Sequence, residues 1–380
     1  MEYELGELLP YEQPTEYIVE STDYDNSYKT PVLTAGKSFI IEYTNETKGI
    51  YTKLPVIIFD DFTISSQYVD FPFKVKSTAM KILSVNSEIA DLKYLFYKMQ
   101  TIQFDSANHK RYWISEYSKI KLDLPTLAEQ KRIVNRIETM FAKLDEAKEK
   151  AQNVVDSFET RKAAILHKAF NGQLKIDNEE LTIENWEDTT IGECCRLGSG
   201  GTPSKSHPEY YENGDIPWLK TDEIDWNDIY DVEERITNEG VENSSAKIFP
   251  AESVVVAMYG MGVTRGKAAI LKIPTATNQA ICVLQPNEKL NNRFLFYYFM
   301  CNYWQIREQS VGGNQLNLSG KIIASFPIKL PPLNHQLSTV NFLDTVLEKE
   351  SRAKEAAQTV LDQIALLKKS ILARAFRGEL

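Results

Sequence analysis

Two glycine-rich stretches carry residue types that could cradle a phosphate: Gly198-Ser199-Gly200-Gly201-Thr202-Pro203 and Tyr259-Gly260-Met261-Gly262-Val263-Thr264-Arg265-Gly266-Lys267. Neither has the spacing of a Walker loop or of G-x-G-x-x-G, so a nucleotide site is not the leading reading. The second stretch suits a glycine-permitted loop that brings Arg265 and Lys267 close to a DNA backbone, with a plain hairpin turn as the alternative. Val311 to Asn317 adds the amides Asn314, Gln315 and Asn317, a side-chain type that pairs bidentately with adenine in the major groove. A matching polar loop upstream offers Asn108, His109, Lys110, Arg111 and Tyr112. An ordinary solvated loop is the alternative in each case. For catalysis the search is negative: there is no Asn-Pro-Pro-aromatic methyltransferase signature, no G-x-S-x-G, no H-E-x-x-H and no nuclease carboxylate cluster. The acids of Leu144-Asp145-Glu146-Ala147-Lys148 fit a solvated helix surface. Cys194, Cys195, Cys282 and Cys301 form no C-x-x-C, so neither structural zinc nor a disulfide framework is expected.

The elements that must position these loops come as a duplication. Leu124 to Leu174 superimposes on Leu330 to Leu380 at a constant offset of 206 without a gap, with 22 identities in 51 positions. Both copies open with Leu-Pro and then run to Phe170 and Phe376 free of glycine and of further helix-breaking proline, which predicts one long helix each. In the first copy Ile137, Leu144, Ala151, Phe158 and Ile165 recur every seven residues, with Met140, Ala147 and Val154 between them. The second copy matches this seam with Leu343, Ala357, Ile364 and Ile371, and with Val346, Ala353, Val360 and Leu367. Only Glu350 interrupts it. Gly172 and Gly378 supply the left-handed residue that stops each helix. About 43 helical residues at ~1.5 Å each make a rod of roughly 60 Å. A seam that long needs a partner, and the other copy is the expected one, in antiparallel pairing; ordinary bundle helices are the alternative.

The intervening segments also echo each other. Residues 1–123 show strand-like runs at Phe39 to Ile41, Leu54 to Phe59, Phe71 to Val75 and Ala79 to Val85, then a short helix at Ile89 to Met99 and a last strand into Leu124-Pro125. Residues 181–329 repeat that plan: Ile191-Gly192-Glu193 echoes Leu5-Gly6-Glu7, Ser253 to Tyr259 echoes the strand at Val56, and Arg293 to Tyr297 echoes Lys93 to Tyr97. The expected architecture is α+β, with two similar mixed α/β domains separated by two long antiparallel coiled-coil helices in a pseudo-twofold tandem repeat. The expected boundaries are domain 1–123, helical spacer 124–174, domain 175–329 and helical spacer 330–380.

Net charge is -10, an unpromising figure for a nucleic-acid partner until it is divided along the chain. Residues 1–25 hold eight acids and no base, while 26–123 hold 13 Lys/Arg against 10 Asp/Glu. Residues 177–242 hold 4 bases against 19 acids, whereas 243–329 hold 9 against 3, a net of +6. Acid and base are thus segregated within each non-helical unit, which fits one face towards a polyanion and another away from it, with a solvated mosaic surface as the alternative. The sequence has no apolar run of membrane-spanning length and no basic, apolar signal at Met1, so a soluble cytoplasmic protein is expected.

The L-P-x-L-x-x-Q opening at Leu124 to Gln130 and Leu330 to Gln336, and the I-L-x-x-A-F-x-G-x-L closing at Ile165 to Leu174 and Ile371 to Leu380, resemble the two helical regions of type I restriction-modification specificity subunits. Trp186 to Thr202 and Thr34 to Val75 are similar to the target-recognition domains of that family. The resemblance covers the whole chain. It implies a DNA-recognition subunit without catalysis of its own, each domain reading one half of a bipartite double-stranded site and the helices setting the gap. It also implies two modification subunits, which bring S-adenosylmethionine, and restriction subunits, which use ATP and Mg2+. No cofactor and no metal is expected in this chain itself, and no membrane. A specificity subunit whose partner fuses methylation and cleavage is a close alternative, and a coiled-coil scaffold that binds only protein is a distant one. One departure is the short lead: the chain begins almost at Leu5-Gly6-Glu7, without the Trp-containing approach present at Trp186.

Overall fold

Leu-Pro at Leu124 and Leu330 marks the change from strand to helix in both copies: strands Lys121–Asp123 and Pro327–Leu330 lead directly into the two long helical segments. The computed structural model describes residues 2–34, 38–104, 111–176, 179–180, 186–260, 262–311 and 317–380. Among them α1 (Leu5–Leu8), α2 (Leu92–Met99) and α3 (Tyr112–Ser115) precede the first long segment, which comprises α4 (Leu127–Asp156) and α5 (Phe158–Phe170). Then α6 (Ile191–Cys194), α7 (Asn238–Glu242), α8 (Asn292–Cys301), α9 (Tyr303–Glu308) and α10 (Gly320–Ser325) precede α11 (Leu333–Ala375). Gly172 and Gly378 follow the long segments with φ of 62° and 75°, the left-handed stop expected for them. The chain divides into two units, Met1–Asn153 with Ala357–Leu380, and Val154–Ala356. Each unit holds one mixed domain and parts of both long segments.

In the first unit, strands Tyr11–Glu12, Met80–Leu83, Val56–Asp60 and Ser66–Val69 form a four-stranded antiparallel sheet in that order. Ile40–Thr44, Thr30–Leu33 and Lys74–Val75 form a second sheet. The strand Val56–Asp60 is apolar without alternation because both of its faces are covered. Val56 and Ile58 pack with Leu33, Phe73 and Ile82, while Ile57 and Phe59 pack with Leu5, Leu95, Trp113 and Val134. The helical parts run antiparallel: Ile137 of α4 packs with Leu372 and Ala375 of α11, and Asp145 pairs with Lys368 at 2.6 Å. Phe376 of the closing motif sits edge-on to Tyr94, centroids 5.2 Å apart.

The second unit repeats this on a larger scale. Cys195–Ser199, Ile281–Pro286, Val254–Ala257, Ala268–Leu271 and Asp228–Ile229 form a five-stranded sheet, and Arg235–Ile236, Ile216–Leu219, Thr275–Thr277 and Ile248–Phe249 a four-stranded one. Val254 and Val256 face the cluster containing Phe294 and Leu343, whereas Val255 and Ala257 face Leu219 and Phe249. Phe170, the counterpart of Phe376, packs on Phe294 at 4.9 Å.

The glutamine of L-P-x-L-x-x-Q explains the motif. Gln130 and Gln336 are fully buried. Gln130 accepts a hydrogen bond from the Asp91 N–H (2.8 Å) and donates to the carbonyls of Ile89 and Pro125. Gln336 accepts from the Asn291 N–H (2.8 Å) and donates to the carbonyls of Lys289 and Pro331. Asp91 and Asn291 cap α2 and α8 through their side chains, so each glutamine ties the start of a long helix to the start of a domain helix.

One expectation is corrected. The first copy is not a single rod: the helix is interrupted at Ser157 between α4 and α5, whereas α11 is continuous over 43 residues. At the break Arg161 Nη2 donates to the Val154 carbonyl at 3.3 Å and its Nη1 donates to the Ser157 hydroxyl.

Candidate nucleic-acid interface

Tyr259 to Lys267 is the hairpin loop between the antiparallel strands Val254–Ala257 and Ala268–Leu271, closed by Gly266 N–H to the Ala257 carbonyl (2.8 Å). Gly260, Gly262 and Gly266 have φ of 135°, 63° and 87°, a backbone path that only glycine follows readily. The loop is held by a residue that sequence reading passed over. Arg307 of α9 donates to the carbonyls of Gly262 (2.7 Å) and Arg265 and lies over the Tyr303 and Trp304 rings. The Tyr303 hydroxyl donates to the Val263 carbonyl. Burial, then the neighbouring Arg307 charge, pulls the Arg265 guanidinium below its ordinary value. Trp304 is 65% exposed and Val263 58%, so apolar surface is exposed beside the loop that Arg307 holds.

The neck of the amide loop meets the same end of the sheet. Val311 and Asn317 pair across the neck, and the Leu318 N–H donates to the Met258 carbonyl at 2.9 Å. Asn314 and Gln315 lie outside the described residues. Asn317 turns its amide oxygen inward, where it is buried without a hydrogen-bond partner. Thr202 and Gln279, joined at 2.6 Å, border this end, because the Gly201 N–H bonds to the Thr277 carbonyl and the Met258 N–H to that of Ala280.

Several candidate residues have other roles. Lys267 pairs with Asp225 and is only 15% exposed, so its charge is engaged within the domain. The run Gly198 to Gly201 holds chain segments together instead of cradling a phosphate. A Cβ on Gly200 would lie 1.8 Å from the Thr277 carbonyl oxygen, and one on Gly201 2.0 Å from the Ser245 hydroxyl. Burial pushes the Cys195 and Cys282 thiols up to about 12 and that of Cys301 to about 11, which suits packing and not nucleophilic chemistry.

The first unit has the corresponding neck. The Tyr112 N–H donates to the Asp61 carbonyl at 2.9 Å, and Tyr112 is the residue that the offset of 206 maps onto Leu318. Asp61 also accepts from the Trp113 N–H (2.7 Å) and pairs with Lys81 at 3.1 Å, both side chains fully buried. Asn108, His109 and Lys110 lie outside the described residues, and Arg111 is exposed above the Phe62 ring. Tyr112 is buried against Phe104, so its side chain belongs to the core and not to the surface. In both units, then, a polar loop is anchored by the backbone to the end of the central strand.

Two tandem mixed domains, each with a loop-bearing end beside a helical segment, define a class of duplicated recognition protein. The family model for the type I restriction modification DNA specificity domain matches residues 1–156 and 183–360. The chain is 36% identical over 355 residues to the EcoR124I/EcoR124II type I restriction enzyme specificity subunit of Escherichia coli, covering 90% of this chain and 85% of that one. It shares its fold with a chain from a type I restriction-modification assembly (TM-score 0.67, 18% identity, 100% and 98% covered). The HsdS subunit of Thermoanaerobacter tengcongensis has the same fold (TM-score 0.64, 18% identity, 100% and 97% covered). The chain belongs to the type I restriction-modification specificity family, and its two specificity domains fit recognition of a bipartite DNA site.

Proposed function

We propose that the chain recognises DNA without catalysing a reaction, and that each domain reads one half-site through the polar loop anchored at its strand end. The observation that carries this reading is the repeated neck: the Tyr112 N–H bonds to the Asp61 carbonyl in one unit and the Leu318 N–H to that of Met258 in the other, each acceptor just past the end of a central strand. Asn314 and Gln315 are the base readers of the second half-site, with Asn317 at the neck. Asn108, His109, Lys110 and Arg111 serve the first. Arg265 faces the phosphate backbone, held there by Arg307, while Lys267 supports the loop through Asp225. Base contacts specify and phosphate contacts position.

Methyl transfer then belongs to two modification subunits, which bring S-adenosylmethionine. Cleavage and translocation belong to restriction subunits that use ATP and Mg2+. Apolar side chains left exposed on α11 offer docking positions for the modification subunits, Leu333 and Leu337 in the second unit and Leu366 in the first. None of the described helices is long and apolar enough to cross a membrane, and the complex works in the cytoplasm. Sequencing of methylated DNA from cells carrying the chain with its modification partner tests the reading. The expected result is a motif of two specific halves around an unspecified gap of fixed length. A motif without a gap contradicts it.

A further inference from the structure

Glu350 is the residue that interrupts the apolar seam of the second repeat, and the first repeat has a matching interruption. Met140, Ala147 and Val154 recur every seven residues, and the next position in that series is Arg161. The two charged seam residues meet: Arg161 Nε donates to Glu350 Oε2 at 2.8 Å, with the side chains 35% and 24% exposed. The same guanidinium also bonds to the Val154 carbonyl and the Ser157 hydroxyl at the helix break, so one side chain joins the break to the facing helix. Lys354, lying over the Phe158 ring at 4.4 Å, completes the contact.

Apolar seams of heptad period have nearly equivalent registers one heptad apart, and a polar residue in the seam selects among them. A slip of seven residues would set Arg161 opposite Leu343 or Ala357, leaving a guanidinium in the seam without a carboxylate. Pairing a repeat with a second copy of itself is equally disfavoured. At the offset of 206, Arg161 corresponds to Leu367 and Glu350 to Leu144, so like repeats would set Arg161 against Leu144 and Glu350 against Leu367. Charge meets charge only when the first repeat pairs with the second in the register observed.

We propose that Arg161 and Glu350 are positioning residues that lock the register of the paired helices and thereby fix the gap between the half-sites to one length. This rests on the reading in which the helices set that gap. The test uses the full chain with its modification partner and reads the methylated motifs. The variant R161L/E350L, which makes this position apolar like its counterparts Leu144 and Leu367, should melt no lower than the original because a half-buried ion pair adds little net stability. It should nevertheless lose the single gap, methylating sites of two gap lengths with both half-sites unchanged. R161E places two carboxylates face to face and should lose methylation, and R161E/E350R should restore methylation at the single original gap. A folded, active R161L/E350L with only the original gap overturns the proposal. So does an R161E/E350R protein that melts like the original yet does not recover that gap, and this pair decides the matter if R161L/E350L does not fold. A four-residue insertion at Leu144 to Ala147 separates the two failures. If it lengthens the gap while R161L/E350L leaves it alone, only the lock is wrong; if neither moves the gap, the helices do not set it.

Discussion

Gln130 and Gln336 occupy the same repeat position and make the same three hydrogen bonds in different units. Replacing either by alanine leaves a helix-cap N–H and two carbonyls without partners, so each change should cost about 1–3 kcal/mol. The sites share no partner, and the double variant should destabilise by the sum, measured by denaturant unfolding. Arg307 acts by a different chemistry. Arg307→Lys keeps the charge but loses the planar fork that spans two carbonyls, and it should weaken binding to all duplexes alike while the preferred bases stay the same, which a salt-titrated gel shift resolves. The glutamines were legible in the sequence as a motif, but their partners were not, because backbone groups carry no residue-type signal. Tyr112 was misjudged for a related reason: its polar neighbours are visible in sequence, while the Phe104 ring that buries it is a matter of folding.

Among the elements, the duplication and the heptad seam predicted both helical segments and their ends at Gly172 and Gly378, and the β-branched and aromatic runs predicted the strands at Val56, Met80 and Val254. The interruption at Ser157 has no proline or glycine to mark it in the sequence, and the Arg161 side chain bonded there also answers Glu350, 189 residues away. The proposed ruler is testable here. Adding a four-residue block such as Leu144 to Ala147 lengthens α4 by ~6 Å and turns the remainder of the helix by roughly 40°. Along B-DNA ~6 Å is close to two base pairs at 3.4 Å each. The gap should therefore grow by one or two base pairs with both half-sites kept, and methylome sequencing of the variant reads this directly. An unchanged gap with full activity would mean that the helices support the domains without spacing them.

For the whole molecule, charge segregation pointed to a polyanion despite a net charge of -10, and family membership gives that polyanion its identity as DNA. The purified chain should bind duplex DNA at low salt yet transfer no methyl group from S-adenosylmethionine. Adding the modification subunit should supply that activity, and Leu366→Asp, at a position 66% exposed, should weaken the association, as sedimentation of the mixed subunits would show. The most direct test of the account takes the two amides of one loop, Asn314→Ala with Gln315→Ala, and sequences the methylated sites that the assembled complex produces. The account predicts that one half-site relaxes, at ~1 to 3 kcal/mol against its preferred bases, while the other half-site and the gap are unchanged. A motif relaxed in both halves, or left intact in both, would contradict it.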